Sequence, residues 1–147
     1  MCIEVLTFGE LSHLYKNLDE SKGPKSQIAA YFGLNSTRLM KDWMHALTII
    51  RNTCAHHDRL WNKSISVITI ANAQVILEDV MHPFIMGLPT NHHKVYSSIC
   101  CIQYLLDRID EGNNFRNEIK TLMTKIPANR KGEMGFVKNW DKEDFWK

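Results

Sequence analysis

The stretch Ser36-Thr37-Arg38-Leu39-Met40-Lys41-Asp42-Trp43-Met44-His45-Ala46-Leu47-Thr48-Ile49-Ile50-Arg51-Asn52-Thr53-Cys54-Ala55-His56-His57 reads as one long amphipathic helix. Ser36 offers a side-chain oxygen that can accept a free backbone N–H of the first turn, which suits the N-cap of a helix starting at Thr37. At 100° per residue, Leu39, Trp43, Leu47, Ile50 and Cys54 fall within about 80° of one another. Such a stripe is a strong core face. The helix leads directly into the polar run Arg51–His57.

Helices are predicted on both sides of it. Val5, Phe8, Leu11, Leu14, Tyr15 and Leu18 recur at spacings of three and four, which predicts a helix from about Glu4 to Leu18. Gly23-Pro24 is read as its stop. A short helical turn is expected around Ser26 to Phe32, ended by Gly33. From Ser64 to Gly87 extended and helical signals compete, and Pro83 and Pro89 mark a loop. Thr90 or Asn91 can cap a helix from about His92 to Ile109, with Val95, Ile99, Ile102, Leu105, Leu106 and Ile109 as its stripe. Gly112 breaks that helix. Asn113 can cap a last one bearing Phe115, Ile119, Leu122 and Ile126, which Pro127 stops. Residues 128–147 contain Phe136, Trp140, Phe145 and Trp146, too aromatic a set for a disordered linker, so an irregular strap packed on the bundle is expected. The fold class read from this pattern is all-α, a helical bundle with an aromatic C-terminal tail.

The 147 residues suffice for one domain with one sizeable core and are too few for two ordinary ones. Hydrophobic residues make up 44% and charged residues 23%, an ordinary globular balance. The formal net charge of +2 is too close to neutral to argue for nucleic-acid binding by itself, so that case rests on local arrangement. Cys2, Cys54, Cys100 and Cys101 lack the spacing of a secreted disulfide framework and read as buried reduced thiols. No signal peptide and no apolar stretch near the roughly 20 residues of a membrane span stand out, so the expected location is cytoplasmic, with no membrane partner.

Arg51, Asn52, His56, His57, Asp58, Arg59 and Asn62 place seven functional side chains within twelve residues. Cleavage of RNA by its own 2′-hydroxyl needs a group to take the 2′ proton and another to protonate the 5′ leaving oxygen. It also needs a cation to steady the charge on the phosphoryl oxygens. Histidine suits the first two tasks because its unperturbed pKa of about 6.5 leaves both forms available near neutrality. Arginine suits the third, since its planar fork grips two phosphate oxygens at once. Asn52 could orient the phosphate or a histidine. The scheme requires no metal and no other cofactor.

Geometry adds a constraint. Residues 51 and 56 are about 140° apart on a continuous helix and do not share a face. Arg51 lines up with Met44 and Asp58, His56 with His45, Asn52 and Arg59, and His57 points into the stripe beside Ile50 and Cys54. Either the helix distorts near Thr53–His56, or a second copy completes the site across a two-fold interface; the second is favoured.

Arg51-Asn52-x-x-x-His56 fits the Arg-x(4–6)-His signature of HEPN ribonucleases, in the Arg-Asn-x-x-x-His form also seen in RNA-targeting CRISPR effectors. Three longer blocks resemble the Abi-like (abortive infection, AbiD/AbiF type) family. They are Glu4-Val5-Leu6-Thr7-Phe8-Gly9-x-Leu11-Ser12-x-Leu14-Tyr15, Ile28-Ala29-x-x-Phe32-Gly33-Leu34, and Arg51-Asn52-x-Cys54-Ala55-His56-His57-x-Arg59-Leu60-Trp61-Asn62. The tail Met134-Gly135-Phe136-x-x-x-Trp140 is similar as well. The resemblance covers most of the chain apart from about 64–90. It implies a homodimeric HEPN-like helical bundle, a single domain over 1–147 with 128–147 as a packed tail, and phage defence through RNA cleavage. It makes Arg51 and His56 the catalytic pair with Asn52 in support. Longer family members carry a further N-terminal half, so this chain would correspond to their C-terminal catalytic part.

Competing readings stand beside these. Arg51 and His56 could be a solvated arginine and a surface histidine after a core helix. His57 fits a hydrogen-bonded structural role as well as a second catalytic one. Arg59 and Asn62 are candidates for RNA contact, although Arg59 could instead pair with Asp58. Trp61 reads as a core or interface anchor before a base-stacking platform. Zinc binding by His56-His57 and His92-His93 with Cys54 and Asp58 is disfavoured, because adjacent histidines diverge on a helix and no His-x-x-x-His spacing is present. Lys22, Lys25, Arg130, Lys131 and Lys138 could supply phosphate contacts if the fold gathers them. The partners expected are RNA as substrate, a second copy of the chain, and a regulatory RNA or protein. The rival functions are a non-catalytic HEPN-like module that binds RNA or protein, and a metal-dependent hydrolase.

Overall fold

The computed structural model describes residues 6–20, 23–34, 36–65 and 94–147, and among these there are helices, turns and loops but no strand. Helix α1 spans Phe8–Asn17. It begins where it does because Thr7 forms a capping box with Glu10. The Thr7 hydroxyl accepts the Glu10 N–H at 3.3 Å, and the Glu10 carboxylate accepts the Thr7 N–H at 2.7 Å. These bonds hold Glu10 below the usual carboxylate range. The expected start near Glu4 lies outside the described residues. The helix ends as expected about Leu18, which is its C-cap and turns extended.

Gly23-Pro24 therefore opens an element rather than stopping one. Gly23 is left-handed, and Pro24 occupies the first turn of α2 (Pro24–Tyr31), where a missing N–H costs nothing. Helix α3 spans Thr37–Ala55, and the Ser36 hydroxyl accepts the Leu39 N–H at 3.3 Å as the cap pattern predicts. Helix α4 spans Val95–Ile109 and α5 spans Phe115–Thr124. Asn113 accepts the Phe115 N–H at 3.3 Å. The proposed loop at Pro83 and Pro89, the caps Thr90 and Asn91, and His92 lie outside the described residues, as does most of the ambiguous 64–87 stretch.

Pro127 does not end the helical part of the chain. It immediately precedes a short helix α6, Ala128–Glu133, and two 3-10 turns follow at Trp140–Lys142 and Asp144–Trp146. The tail is thus more regular than its glycines suggest.

Helices α1 and α3 run antiparallel, since Gly9 lies against Thr48 while the Tyr15 hydroxyl donates to the Thr37 carbonyl at 3.4 Å. The same hydroxyl reaches the Lys25 carbonyl at 3.1 Å, and desolvation pushes its pKa up to about 12. Trp43 is fully buried and meets Tyr104 of α4 edge-to-face at 5.5 Å. A second aromatic layer joins the start of α4 to the tail. There Tyr96 packs with Phe136, Trp140 and Trp146, and the Trp146 indole donates to the Tyr96 hydroxyl at 2.7 Å. Arg116 locks α5 onto α4 through a two-pronged pair with Asp107 at 2.8 and 2.5 Å, and its Nε donates to the Phe145 carbonyl.

Cys100 and Cys101 are buried reduced thiols whose pKa values are raised chiefly by desolvation. Cys2 lies outside the described residues. Helices α1 to α4 frame an open apolar groove of about 580 Å³ lined by residues such as Phe8, Leu11, Met44, Leu47 and Leu106. No side chain of Arg51–Asn62 lines it, so this concavity is separate from the polar segment. Among the described residues, no helix is long and apolar enough to cross a membrane.

Candidate functional site

The polar segment sits where α3 leaves the core. The helix stays regular through Ala55, and the His56 N–H still donates to the Asn52 carbonyl at 3.0 Å. The helix gives way near the expected place, Thr53–His56: His56 is its C-cap, φ −90° and ψ 9°, and the chain reverses at His57. The His57 N–H donates to the Cys54 carbonyl at 3.1 Å and the Asp58 N–H to the Thr53 carbonyl at 3.0 Å. These two bonds form a Schellman cap with His57 at the left-handed position, φ 54°. Glycine usually fills that position, and an L side chain there costs about 1–2 kcal/mol.

This turn corrects two expectations. His57 does not point into the apolar stripe, because the backbone reverses at that residue and leaves it exposed. Cys54 is also exposed. At the end of α3 the covered side is the one bearing Thr53, which is 5% exposed, because the loop folds back against it. The Thr53 hydroxyl donates to the Ile49 carbonyl at 2.8 Å and accepts Lys63 Nζ at 3.0 Å.

Arg51, Asn52, His56, His57, Arg59 and Asn62 are all exposed. Arg51 Nη1 donates to Asn52 Oδ1 at 2.9 Å, so Asn52 holds the guanidinium. Arg51 lies in the last full turn of α3, and His56 is the C-cap just past its final residue.

Asp58 takes Lys63 as its ion-pair partner at 3.1 Å and accepts the backbone N–H of Arg59 at 2.8 Å. The Lys63 hydrogen bond first, and the Arg59 N–H second, hold its carboxyl below the usual range. Arg59 thus meets Asp58 through its main chain. Asn62 is left-handed, φ 55°, and its Oδ1 accepts Lys94 Nζ at 2.6 Å. That bond ties the loop to the residue before α4. Trp61 is half-buried against the core, and Arg130 of α6 lies over its ring with Cζ 4.3 Å from the centroid.

Of the scattered cations, Lys25 is unavailable to a phosphate. It is 4% exposed and bonded to the Lys16 carbonyl at 3.1 Å and to Glu20 at 3.0 Å. Lys131 is half-buried and Lys138 exposed, while Lys22 lies outside the described residues. Lys63 and Lys94 carried no signal in the sequence, because their partners depend on how the loop folds back. His92 and His93 also lie outside the described residues. Among the described residues no three His, Cys, Asp or Glu side chains gather as a metal-holding group.

No curated protein and no solved structure matches the chain. Residues 1–62 match the family model described as Abi-like protein. That match takes in α1 to α3 and the whole Arg51–Asn62 segment, while the Met134–Trp140 stretch of the tail falls outside it.

Proposed function

We propose that this chain is a metal-independent endoribonuclease of HEPN type, acting in phage defence by abortive infection in the cytoplasm as a homodimer. One observation carries the reading. Arg51, bonded to Asn52, and His56 stand exposed at the end of a helix anchored in the core by Trp43 and Ala46, inside the stretch that matches the Abi-like model.

The chemistry assigned to these groups is transphosphorylation. Neutral His56 takes the proton of the 2′-hydroxyl, and that oxygen attacks the adjacent phosphorus. The bond from phosphorus to the 5′ oxygen breaks, and the leaving oxygen takes a proton from a protonated imidazole. The products are a 2′,3′-cyclic phosphate and a 5′-hydroxyl. Arg51 steadies the phosphoryl oxygens with its fork held by Asn52. On helical spacing Arg51 and His56 diverge by about 140°, so the second imidazole and a facing arginine come from a second copy. His57 is the alternative proton donor. Arg59 and Asn62 are assigned to RNA contact.

Arg51→Ala and His56→Ala should each lower cleavage of single-stranded RNA by at least about 10²-fold, with or without EDTA. Both side chains are exposed, so the thermal transition should stay put. Full activity in the double variant overturns the proposal. The divergence of Arg51 and His56 within one chain also favours a second reading, a non-catalytic module that binds RNA or a protein. That reading gives RNA retention, or none, without cyclic-phosphate ends.

A further inference from the structure

We infer that the loop Asp58–Lys63 and the C-terminal helix α6 together form a grip for the phosphates of single-stranded RNA, with Arg130 as its principal contact and Trp61 as the platform that presents it. The inference rests on the ribonuclease reading for its choice of ligand, but its geometry is independent of the Arg51/His56 chemistry. Trp61 and Arg130 are 69 positions apart in sequence, yet the guanidinium lies 4.3 Å from the ring centroid. Stacking engages the flat face of a guanidinium and leaves its in-plane N–H groups pointing outward, where they can fork onto a phosphate. Arg130 is exposed.

Its neighbours reinforce the charge. Lys94 is bonded to Asn62 one residue from the platform, and Lys63 is fixed on Thr53 and Asp58. Each ammonium has three donors. Lys94 thus keeps two beyond its bond to Asn62, and Lys63 keeps one. Arg51 and Arg59 stand exposed at the two ends of the same turn. Between residues 51 and 65 the sequence holds three Lys/Arg side chains and a single acid, Asp58, whose ion pair with Lys63 leaves Arg51 and Arg59 as the uncompensated cations. On α6, Glu133 is the one acid beside Arg130 and Lys131. A chain whose net charge is only +2 therefore carries a locally positive rim around its phosphodiester motif. With one face of Trp61 covered by Arg130, the indole serves the grip as a support and is not free on that side to stack a base.

The test is binding of a labelled 2′-O-methyl oligouridylate, which cannot undergo 2′-hydroxyl attack, measured by fluorescence anisotropy across a salt series. Arg130→Gln should weaken binding several-fold and reduce the slope of log K against log salt by about 0.7, the value for one phosphate contact on a single strand. Arg130→Lys should keep the wild-type slope with intermediate affinity, because it preserves the charge and loses the planar stack. Trp61→Leu should weaken binding in the same direction. A merely structural role for Arg130 would shift the melting transition and leave the salt slope alone.

An unchanged slope and affinity in Arg130→Gln overturns the inference, as does failure of the wild-type chain to bind the oligonucleotide. The two proposals fail separately. Cleavage by the wild type with no effect of Arg130 on binding removes the grip only. An effect of Arg130 on binding without any cleavage by the wild type removes the ribonuclease reading only.

Discussion

His57 holds a left-handed backbone at the one point where α3 must stop and the chain must turn toward Trp61. Strain of this kind survives where the surroundings fix it, and it collects at functional sites. Replacing the imidazole separates its two roles. His57→Gly should raise stability by about 1 kcal/mol in urea unfolding, since glycine adopts the left-handed region without the steric cost. If cleavage falls while stability rises, the imidazole takes part in the reaction. If cleavage is retained, His57 matters for the turn alone. The same residue shows where reading the sequence stops. A helical wheel extrapolates the angle of α3 past its end, so it sends His57 into the core. Without a glycine at that position, nothing in the residue types announces the reversal.

Among the elements, the start of α4 is held against the tail. The Tyr96 N–H donates to the Met134 carbonyl at 3.0 Å, and Gly135 follows at φ 95° with no room for a side chain. A Cβ there would sit 2.7 Å from the Lys94 Cβ. Gly135→Ala should therefore destabilise the chain by about 2 kcal/mol in urea unfolding. It should also displace Lys94 from Asn62, slackening the motif loop from a distance. Some elements were legible and others were not, for reasons particular residues show. Ser36 and the stripe of Leu39, Trp43 and Leu47 fixed α3, because cap chemistry and periodicity agree there. Thr7 and Glu10 carried an equally good capping signature, but Val5 extends the apolar spacing past them and masks the start. Gly23-Pro24 is ambiguous by nature, since the same pair can end one helix or begin another. The contact between Arg130 and Trp61 was out of reach, because no local rule links residues from α6 and the α3 loop.

At the scale of the whole molecule, the stretch matched to the Abi-like model does not close its own core. Trp43 is covered by Tyr104, and the loop after α3 is held by Lys94 and Arg130. The aromatic layer that steadies α4 is completed by Trp146, which is fully buried and hydrogen-bonded to Tyr96. Trp146→Ala should cost about 3–5 kcal/mol in equilibrium unfolding, the range for emptying a buried tryptophan site. A much smaller loss would mean that the tail is ornamental to the fold.

That dependence on late residues has a temporal side. A ribosome delivers Arg51–Asn62 well before Lys94, Arg130 and Trp146, and because a domain folds as a unit the earlier stretch waits for the later one. On the ribonuclease reading, a nascent chain exposes its cleavage motif while the groups that brace the motif are still untranslated. The messenger RNA nearest to it at that moment is its own. On that reading, the order of synthesis separates the appearance of the motif from the appearance of the side chains that brace it.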